Sequence, residues 1–366
     1  MSTAMDTGDS SGEMSSASSV DFDDPMDWKV AAVHGVDSET KTSSLTYRPR
    51  RFIAKGNFGY ITRILTSERE TFALKQIDLR TRAAMQEINI MLLLKHPNLV
   101  RIKYYYKERF TKNHIRVFII MEFLPRSLVE HIIRRHEKQL MLMHEEIASI
   151  MFQILRGLEH MHRRNIAHRD IKPHNVLIDV HQQIVKICDF GSAKNIKDPK
   201  SPNLTYVCSR WYRAPELLQQ NAEYTTKVDI WSCGCVLGEL VLLRPMFRGA
   251  DTVDQWACIR DILGSPSAEE AKEIGMRPGV NDHQVQRKNL SDIFGDRAPQ
   301  AVIDLFEKLL KYAHRSRPTA WSALAHPAFN VLKNHEFRSS YPHLFNFTDE
   351  ELTYEPDINQ PFQAEI

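Results

Sequence analysis

Hydrophobic and polar positions follow two different periods along the chain. In the first part, apolar and polar residues alternate in short runs that favour β-strands. These runs lie at residues 51–65, 71–77, 100–106 and 115–121. A stretch at 82–95 instead carries apolar residues at helical spacing, and Pro97 disfavours helix just before it. The first part therefore predicts a small sheet with one helix.

Beyond residue 125 the apolar positions recur with a helical period. Residues 147–161 carry one apolar stripe, as expected of a helix with one buried face. Residues 226–243 are apolar almost all round, and this pattern predicts a helix buried in the centre of the fold. The second part is therefore predicted to be mostly α-helical.

The two ends of the chain show neither period. Residues 1–28 contain seven acids and neither lysine nor arginine, so this segment buries too little apolar area to offset its ordering entropy. We predict a disordered, acidic, serine-rich tail at 1–46 and a polar C-terminal tail, extended or disordered, at 346–366. The change of period places a small β-rich lobe at 47–124 and a larger helical lobe at 125–345.

Composition and charge limit the classes of partner. The 366 residues are 42% hydrophobic and 26% charged, which is typical of a folded, water-soluble chain. The 48 lysines and arginines nearly cancel the 46 acids, so the net charge of +2 gives no overall field for wrapping nucleic acid or binding an anionic membrane. No apolar run approaches the roughly 18 residues of a membrane helix. We therefore expect neither nucleic acid nor a membrane as a partner.

The five cysteines are an odd number and lack the paired spacing of a zinc site. Reduced thiols explain this pattern better than a disulfide framework does. We therefore expect a cytoplasmic location, with the nucleus as the second candidate.

Three motifs in the second part stand in a fixed order. They are His168-Arg169-Asp170-Ile171-Lys172-Pro173-His174-Asn175, Asp189-Phe190-Gly191 and Ala214-Pro215-Glu216. In order and separation they resemble the catalytic loop, the metal-binding triplet and the end of the activation segment of protein kinases. The resemblance spans about residues 51–345 and implies an α+β, bilobal fold with ATP and Mg²⁺ bound between the lobes.

The residue types in these motifs suit phosphoryl transfer, which needs positioning and charge neutralisation more than covalent chemistry. Asp170 would accept the proton of the substrate hydroxyl, and Lys172 would place a positive charge beside the γ-phosphate. Asn175 and Asp189 offer the oxygen ligands that Mg²⁺ prefers. These four residues are the predicted catalytic and metal-binding set. His168 is interpreted as a structural histidine.

Nucleotide binding is assigned mainly to the small lobe. Lys75 would hold the α- and β-phosphates, and Glu87, twelve residues further on, would pair with it. The glycine-rich loop departs from the kinase pattern because Ala54 stands where its first glycine is expected. The other predicted ATP-binding residues are Ile53, Gly56, Gly59, Ile61, Ala73 and Leu177, and the resemblance implies that Glu122 and Leu124 contact adenine through their backbone.

Further motifs resemble a particular kinase family. The chain carries Ser192-Ala193-Lys194 after the metal-binding triplet, Tyr206 in the activation segment, and the late run Leu344-Phe345-Asn346-Phe347-Thr348. Together they resemble glycogen synthase kinase 3, a serine/threonine protein kinase family. Many other positions differ, so the chain looks like a divergent member.

This resemblance implies regulation and a substrate preference. Tyr206 would be phosphorylated by the kinase itself, and Arg210 and Arg213 lie near enough in sequence to receive that phosphate. Arg169 and Lys194 match two of the three basic residues in a pocket for a phosphate already present on the substrate. The third position is Gln86 in place of arginine, so we expect the preference for pre-phosphorylated substrates to be weakened.

The resemblance also implies two structural contacts and leaves two questions open. Glu216 and Arg317 would form a buried ion pair, and Asp229 would anchor the catalytic loop.

The groove for axin-like scaffold proteins is only partly matched, because Trp256 and Ala257 replace aliphatic residues beside Val253. Protein substrates are the expected partners. A catalytically silent, kinase-like scaffold remains the alternative function.

Overall fold

The computed structural model describes residues 28–36, 42–56, 59–78, 82–111, 114–199, 201–276 and 283–354. Six strands and one helix form the small lobe. They are β1 (Lys29–Gly35), β2 (Thr42–Gly56), β3 (Gly59–Thr66), β4 (Thr71–Asp78), α1 (Arg82–Leu93), β5 (Ile102–Thr111) and β6 (His114–Glu122). The strands close into a barrel in the order β1-β2-β3-β4-β6-β5. The predicted small sheet with one helix is confirmed.

Strand β4 lies at the centre of the barrel wall and carries Lys75. It pairs antiparallel with β3 and β6, so Lys75 stands opposite Ile61 on one side and Ile119 on the other. Four successive residues of β4, from Phe72 to Lys75, are buried. Because β4 is buried on both faces, it holds Lys75 in a fixed position in the barrel.

The barrel begins earlier in the chain than predicted. The prediction of a disordered tail over 1–46 is wrong for Lys29–Gly35 and for 42–46, which form β1 and the start of β2. Strand β1 pairs with β2 along six residues and also with β5, and its Val33 is fully buried. The acidic composition that favoured disorder belongs to residues 1–28, whereas Lys29–Gly35 carries Val30, Ala31, Ala32 and Val33 and is held by two strand partners. Residues 1–27 and 37–41 lie outside the described part of the chain.

The large lobe is helical, as predicted. Its helices are α2 (Leu128–Glu137), α3 (His144–Arg163), α4 (Pro215–Leu218), α5 (Lys227–Leu242), α6 (Thr252–Leu263), α7 (Ala268–Ile274), α8 (Leu290–Phe294), α9 (Gln300–Leu309), α10 (Ala320–Leu324), α11 (His335–Ser340) and α12 (Asp349–Tyr354). Its short strands are β7 (Arg126–Ser127), β8 (Ile166–Ala167), β9 (Val176–Asp179), β10 (Ile184–Ile187) and β11 (Lys194–Asn195). No helix within the described ranges is long and apolar enough to cross a membrane.

Helix α5 is the central helix that the sequence predicts. Every residue from Val228 to Leu242 is buried, including Trp231, which packs against Phe247 at a ring separation of 6.4 Å. Helix α3 packs beside it and is buried from Ile147 to Met161. These two helices form the core against which the catalytic loop is placed.

The C-terminal segment is docked on the large lobe. The prediction of an extended or disordered tail from 346 is wrong for α12, whose Glu351 accepts two hydrogen bonds from Arg156 of α3, at 2.8 and 2.7 Å. Arg156 also donates to the carbonyl of Leu344 at 2.8 Å. A buried arginine with these partners holds the segment in place. Residues 355–366 lie outside the described part of the chain.

Candidate active site

One buried ion-pair network joins the small lobe to the large lobe. The Nζ of Lys75 lies 2.5 Å from Oε1 of Glu87 on α1 and 3.1 Å from Oδ1 of Asp189, which follows β10. Lys75 and Glu87 are 4% and 1% exposed, so their charges are poorly screened by solvent. Lys75 therefore joins helix α1 of the small lobe to Asp189 of the large lobe.

Neighbouring charges favour the ionised forms of Lys75 and Asp189, whereas burial raises the pKa of Glu87 above its usual value despite the Lys75 ammonium. Burial by itself lowers the pKa of Lys75, but the carboxylates of Glu87 and Asp189 raise that pKa above its usual value. Burial raises the pKa of Asp189, and the Lys75 ammonium outweighs this effect and brings that pKa below its usual value. An ammonium and a carboxylate are therefore both available near neutral pH to bind phosphate and a cation.

The backbone at Asp189 directs its carboxylate into the cleft. Asp189 has a left-handed φ of 61°, a conformation that non-glycine residues adopt only where the surrounding structure enforces it. The next residue, Phe190, is 1% exposed and its ring packs 5.6 Å from the ring of His168. The Asp189 side chain, in contrast, is 45% exposed. The burial of Phe190 therefore holds the Asp189 carboxylate at the cleft surface.

Asp229 of α5 fixes the catalytic loop. Its two carboxylate oxygens accept hydrogen bonds from the backbone N–H groups of His168 and Arg169, both at 2.8 Å. The Nε2 of His162 lies 2.8 Å from Oδ2 of Asp229. Burial raises the pKa of Asp229, but these partners bring it below its usual value. The predicted anchoring role of Asp229 is confirmed.

Asp170 lies at the centre of a cluster of four polar side chains. Its Oδ2 is 2.8 Å from the Nζ of Lys172 and accepts a hydrogen bond from Nδ2 of Asn175 at 2.9 Å. Its Oδ1 accepts from the backbone N–H and the hydroxyl of Ser209, at 2.9 and 2.8 Å. A carboxylate held through both oxygens has a defined orientation, which a general base requires. The structure thus brings Asp170, Lys172 and Asn175 together as predicted.

Ser209 is a member of this cluster that the sequence analysis missed. Lys172 donates to its hydroxyl at 2.7 Å, so Ser209 joins the activation segment to the catalytic loop. Serine is uncharged, so its residue type alone does not mark Ser209 as a member of this cluster. The signal that could have found it is its place in the activation segment, between Tyr206 and the Ala214-Pro215-Glu216 motif.

The cleft between the lobes encloses about 800 Å³, a volume in the range of small-molecule sites. Its lining includes the predicted residues Ile53, Ile61, Ala73, Lys75, Glu87, Glu122, Leu124, Lys172, Asn175, Leu177 and Asp189. Cys188 also lines the cleft, and burial raises the pKa of its thiol to about 12. Cys188 is therefore a protonated, weakly polar part of the cleft wall rather than a nucleophile.

The glycine-rich hairpin covers one side of the cleft. Gly56 ends β2 and pairs with Gly59, the first residue of β3. A Cβ on Gly59 would collide with the backbone carbonyl of Gln76 on β4, so strand packing requires this glycine. Ala54, at the position of the missing first glycine, is exposed and pairs with Ile61 directly after a register shift between Phe52 and Ala54. The extra methyl group is therefore accommodated in the hairpin.

The side-chain oxygen atoms of Asn175 and Asp189 in the cleft suit magnesium. The amide nitrogen of Asn175 donates to Asp170, so its carbonyl oxygen is the atom suited to a metal. Among the described residues, no group of three or more His, Cys, Asp or Glu side chains could hold a metal ion. Asp189 and Asn175 together give two oxygen ligands, and Mg²⁺ commonly takes few ligands from the protein and the rest from phosphates and water.

The residues of the predicted substrate-phosphate pocket are engaged by the chain itself. The Nε of Arg169 donates to the carbonyl of Ser192 and its Nη1 to the hydroxyl of Tyr224, both at 2.8 Å. Lys194 donates to Oδ1 of Asn203 at 2.6 Å and to the carbonyl of Ser201. Burial, followed by the charge of Arg169, lowers the pKa of Lys194. Both cations are thus bound by neutral oxygens, away from the cleft lining.

Gln86 occupies the third position of that pocket. Its side-chain amide donates to the carbonyl of Ala193 at 2.9 Å. This bond joins α1 to the residue just before Lys194. Gln86 therefore positions the backbone of the activation segment and brings no positive charge to it.

Tyr206 lies on the surface, 81% exposed. The guanidinium of Arg213 is 4.7 Å from the centre of its ring, and Arg213 also donates to the carbonyls of Val207 and Cys208. Arg210 instead binds the carbonyls of 249 and 250 in the large lobe. Of the two arginines that sequence reasoning placed beside Tyr206, the structure brings only Arg213 against it.

The end of the activation segment is tied to the large lobe. Arg317 donates to both carboxylate oxygens of Glu216 at 2.7 Å, and both side chains are fully buried. This bidentate pair confirms the predicted contact. It fixes the C-terminal end of the segment that carries Ser209.

The fold and this constellation define a protein kinase. The protein kinase domain family matches residues 47–329, and the chain belongs to that family. Protein kinase gsk3 of Schizosaccharomyces pombe is 36% identical over 348 residues, which cover 91% of this chain and 89% of that relative. Similarity over this length confirms the resemblance to glycogen synthase kinase 3 that the motifs indicated.

Proposed function

We propose that the protein transfers the γ-phosphate of ATP to serine or threonine residues of proteins, with Mg²⁺ as the cofactor. The observation that carries this proposal is the cluster in which Lys172, Asn175 and Ser209 orient both oxygens of Asp170. The serine/threonine class rests on the resemblance to glycogen synthase kinase 3.

The residues of the site suit each requirement of the transfer. The carboxylate of Asp170 orients the substrate hydroxyl and accepts its proton as the oxygen bonds to the γ-phosphorus and the bond to the bridging oxygen of ADP breaks. Lys172 places a positive charge beside the transferred group, and Lys75 faces the α- and β-phosphates. Asp189 and Asn175 would hold Mg²⁺, which would supply neutralisation of the charge on the phosphate oxygens.

The alternative of a silent scaffold receives less support. Binding of partners through the outer surface of a kinase-like fold does not require the buried ion pair between Lys75 and Glu87 in the cleft. The test is phosphate incorporation from ATP into protein by the wild type and by Asp189→Asn, with the exposed Asp292→Asn as the matched control. Phosphate incorporation by the wild type and Asp292→Asn but not by Asp189→Asn supports the proposal. Equal phosphate incorporation by all three proteins would contradict it.

Two finer features are part of the proposal. Autophosphorylation of Tyr206 is supported by its exposure and by the guanidinium of Arg213 against its ring, where a phosphate would find a cation. A weakened preference for pre-phosphorylated substrates is supported by the internal partners of Arg169 and Lys194. A phosphate would have to replace those oxygens, and Gln86 offers only a neutral donor.

A further inference from the structure

A second cavity, of about 360 Å³, lies outside the catalytic cleft. Helix α2, the segment after it and strand β9 form its walls. We call it the basic pocket and define it by Arg126, Arg134, Arg135, Lys138, Leu140 and Ile178. No part of the proposed phosphoryl transfer uses it.

The charge of the basic pocket is largely uncompensated. Among the described residues that line it, none is acidic. Glu146 of α3 pairs with Arg135 at 2.7 Å and with His131 at 2.7 Å, and so neutralises one of the cations. Arg126, Arg134 and Lys138 have no carboxylate within ion-pair distance in the described ranges. Three cations in one concave surface attract an anionic partner.

Helix electrostatics explain only part of this charge. Arg134 and Arg135 lie in the last turn of α2, where cations are favoured by the helix dipole. Arg126 instead precedes Ser127, the N-cap of α2, where the dipole disfavours a cation. The stability of the helix therefore does not explain the positive charge at Arg126, which lines the basic pocket.

Exposed apolar side chains lie beside these cations. Leu140, which lines the pocket, is 50% exposed, and its neighbours Met141 and Met143 are 55% and 67% exposed. Clustered exposed apolar residues mark binding surfaces, and methionine adapts readily to different partners. A partner that is only a polyanion would leave this apolar area uncovered.

We propose that the basic pocket docks an acidic linear segment of a protein substrate, with an aliphatic side chain of that segment on Leu140 and Met141. Arg126 lines both the basic pocket and the catalytic cleft, so a docked segment lies next to the site of transfer. That the partner is a substrate rests on the proposed kinase function. The attraction between the basic pocket and an acidic segment does not depend on that function.

Binding of a labelled peptide to the full chain tests the docking directly. The probe is a fluorescein-labelled peptide in which glutamates flank two leucines, and its control has glutamines in place of the glutamates. We expect the acidic peptide to bind at least tenfold more tightly and its affinity to fall as salt rises. Equal affinity of both peptides, or no binding of either, would overturn the proposal.

Matched charge reversals locate the site. The double variant Arg134→Glu with Lys138→Glu should weaken binding of the acidic peptide at least tenfold. The control Lys272→Glu with Arg315→Glu reverses two exposed cations elsewhere on the large lobe and should leave the affinity within about twofold of wild type. Equal loss in both variants would show nonspecific attraction and contradict a defined site.

Two further measurements separate the parts of the proposal. Replacing Leu140 and Met141 by serine should weaken peptide binding and leave its salt dependence unchanged, and unchanged affinity would show that a simple polyanion suffices. Phosphorylation of a short peptide without an acidic segment should be the same in the Arg134→Glu, Lys138→Glu variant and in wild type. If the wild-type protein phosphorylates no peptide, the kinase function is refuted. The peptide-binding result still decides whether the basic pocket docks an acidic segment.

Discussion

The catalytic cluster and the substrate-phosphate pocket differ in what contacts their cations. In the cleft, Lys75 and Lys172 each lie against a carboxylate and also line the open cavity. In the pocket, Arg169 and Lys194 are bound by backbone carbonyls and neutral side chains of the same chain. The first arrangement is ready to bind a nucleotide, whereas the second must exchange internal hydrogen bonds for a substrate phosphate.

The proposed function therefore combines an intact set of catalytic residues with a weakened recognition element for the substrate phosphate. The cleft needs particular donors and acceptors at fixed distances, and its lining includes Lys75, Lys172, Asn175 and Asp189, with Asp170 in contact with Lys172 and Asn175. The pocket needs positive charge, and Gln86 supplies none. We therefore expect changes in the cleft to reduce turnover and changes in the pocket to alter substrate choice.

Removal of the Asp170 carboxylate should have the largest effect on chemistry. Asp170→Ala is expected to lower turnover by about a hundredfold or more, because general-base and positioning help are both lost. Steady-state kinetics with saturating ATP measures this effect, and Asp292→Ala serves as the exposed control. Turnover equal to wild type in Asp170→Ala would refute its catalytic role.

A change remote from both regions should reduce stability instead. Glu351→Ala leaves Arg156 buried without its carboxylate, and breaking a buried pair in this way costs about 3 to 5 kcal/mol of the free energy of unfolding. Urea unfolding measures the loss, and turnover per folded molecule should remain near the wild-type value. A stability equal to that of wild type would show that α12 is not anchored through this pair.

Placing a basic residue at the third position of the pocket should raise the preference for primed substrates. Gln86→Arg is expected to raise the ratio of kcat/KM for primed over unprimed peptide by roughly tenfold, mainly through KM, since one charge-assisted hydrogen bond is gained. The primed peptide carries phosphoserine four residues after the target. An unchanged ratio would mean that another cation already completes the pocket.

The smallest effect is expected at Tyr206. Tyr206→Phe should reduce protein phosphorylation severalfold and leave ATP affinity unchanged, because a phosphate there could pair with Arg213 and order the segment, but Tyr206 does not line the cleft. Mass spectrometry of active wild-type protein checks the modification itself. Active protein with wholly unmodified Tyr206 would remove the autophosphorylation proposal.

The catalytic residues were predictable because each belongs to a short motif with a fixed chemical role. Asp170, Asn175 and Asp189 were assigned because their motifs resemble those of protein kinases, and the structure brings Asp170 and Asn175 into contact and places Asn175 and Asp189 in the same cleft. Ser209 was missed because its role depends on contacts with residues far away in the sequence.

The ends of the chain were mispredicted for a similar physical reason. Strand β1 is stabilised by pairing with β2 and β5, and its composition gives no measure of that pairing. Glu351 is buried by Arg156, a partner 195 residues away. Local hydrophobicity reports neither contact, so the predicted lobe boundaries fell inside folded structure.

The central claim is that the cleft is complete and the phosphate pocket is weakened. It is tested most directly by the kcat/KM of the wild-type protein for one serine peptide with and without phosphoserine four residues after the target. We predict measurable phosphorylation of the unprimed peptide and only a small advantage for the primed one. A large advantage for the primed peptide, with almost no turnover of the unprimed one, would contradict the account.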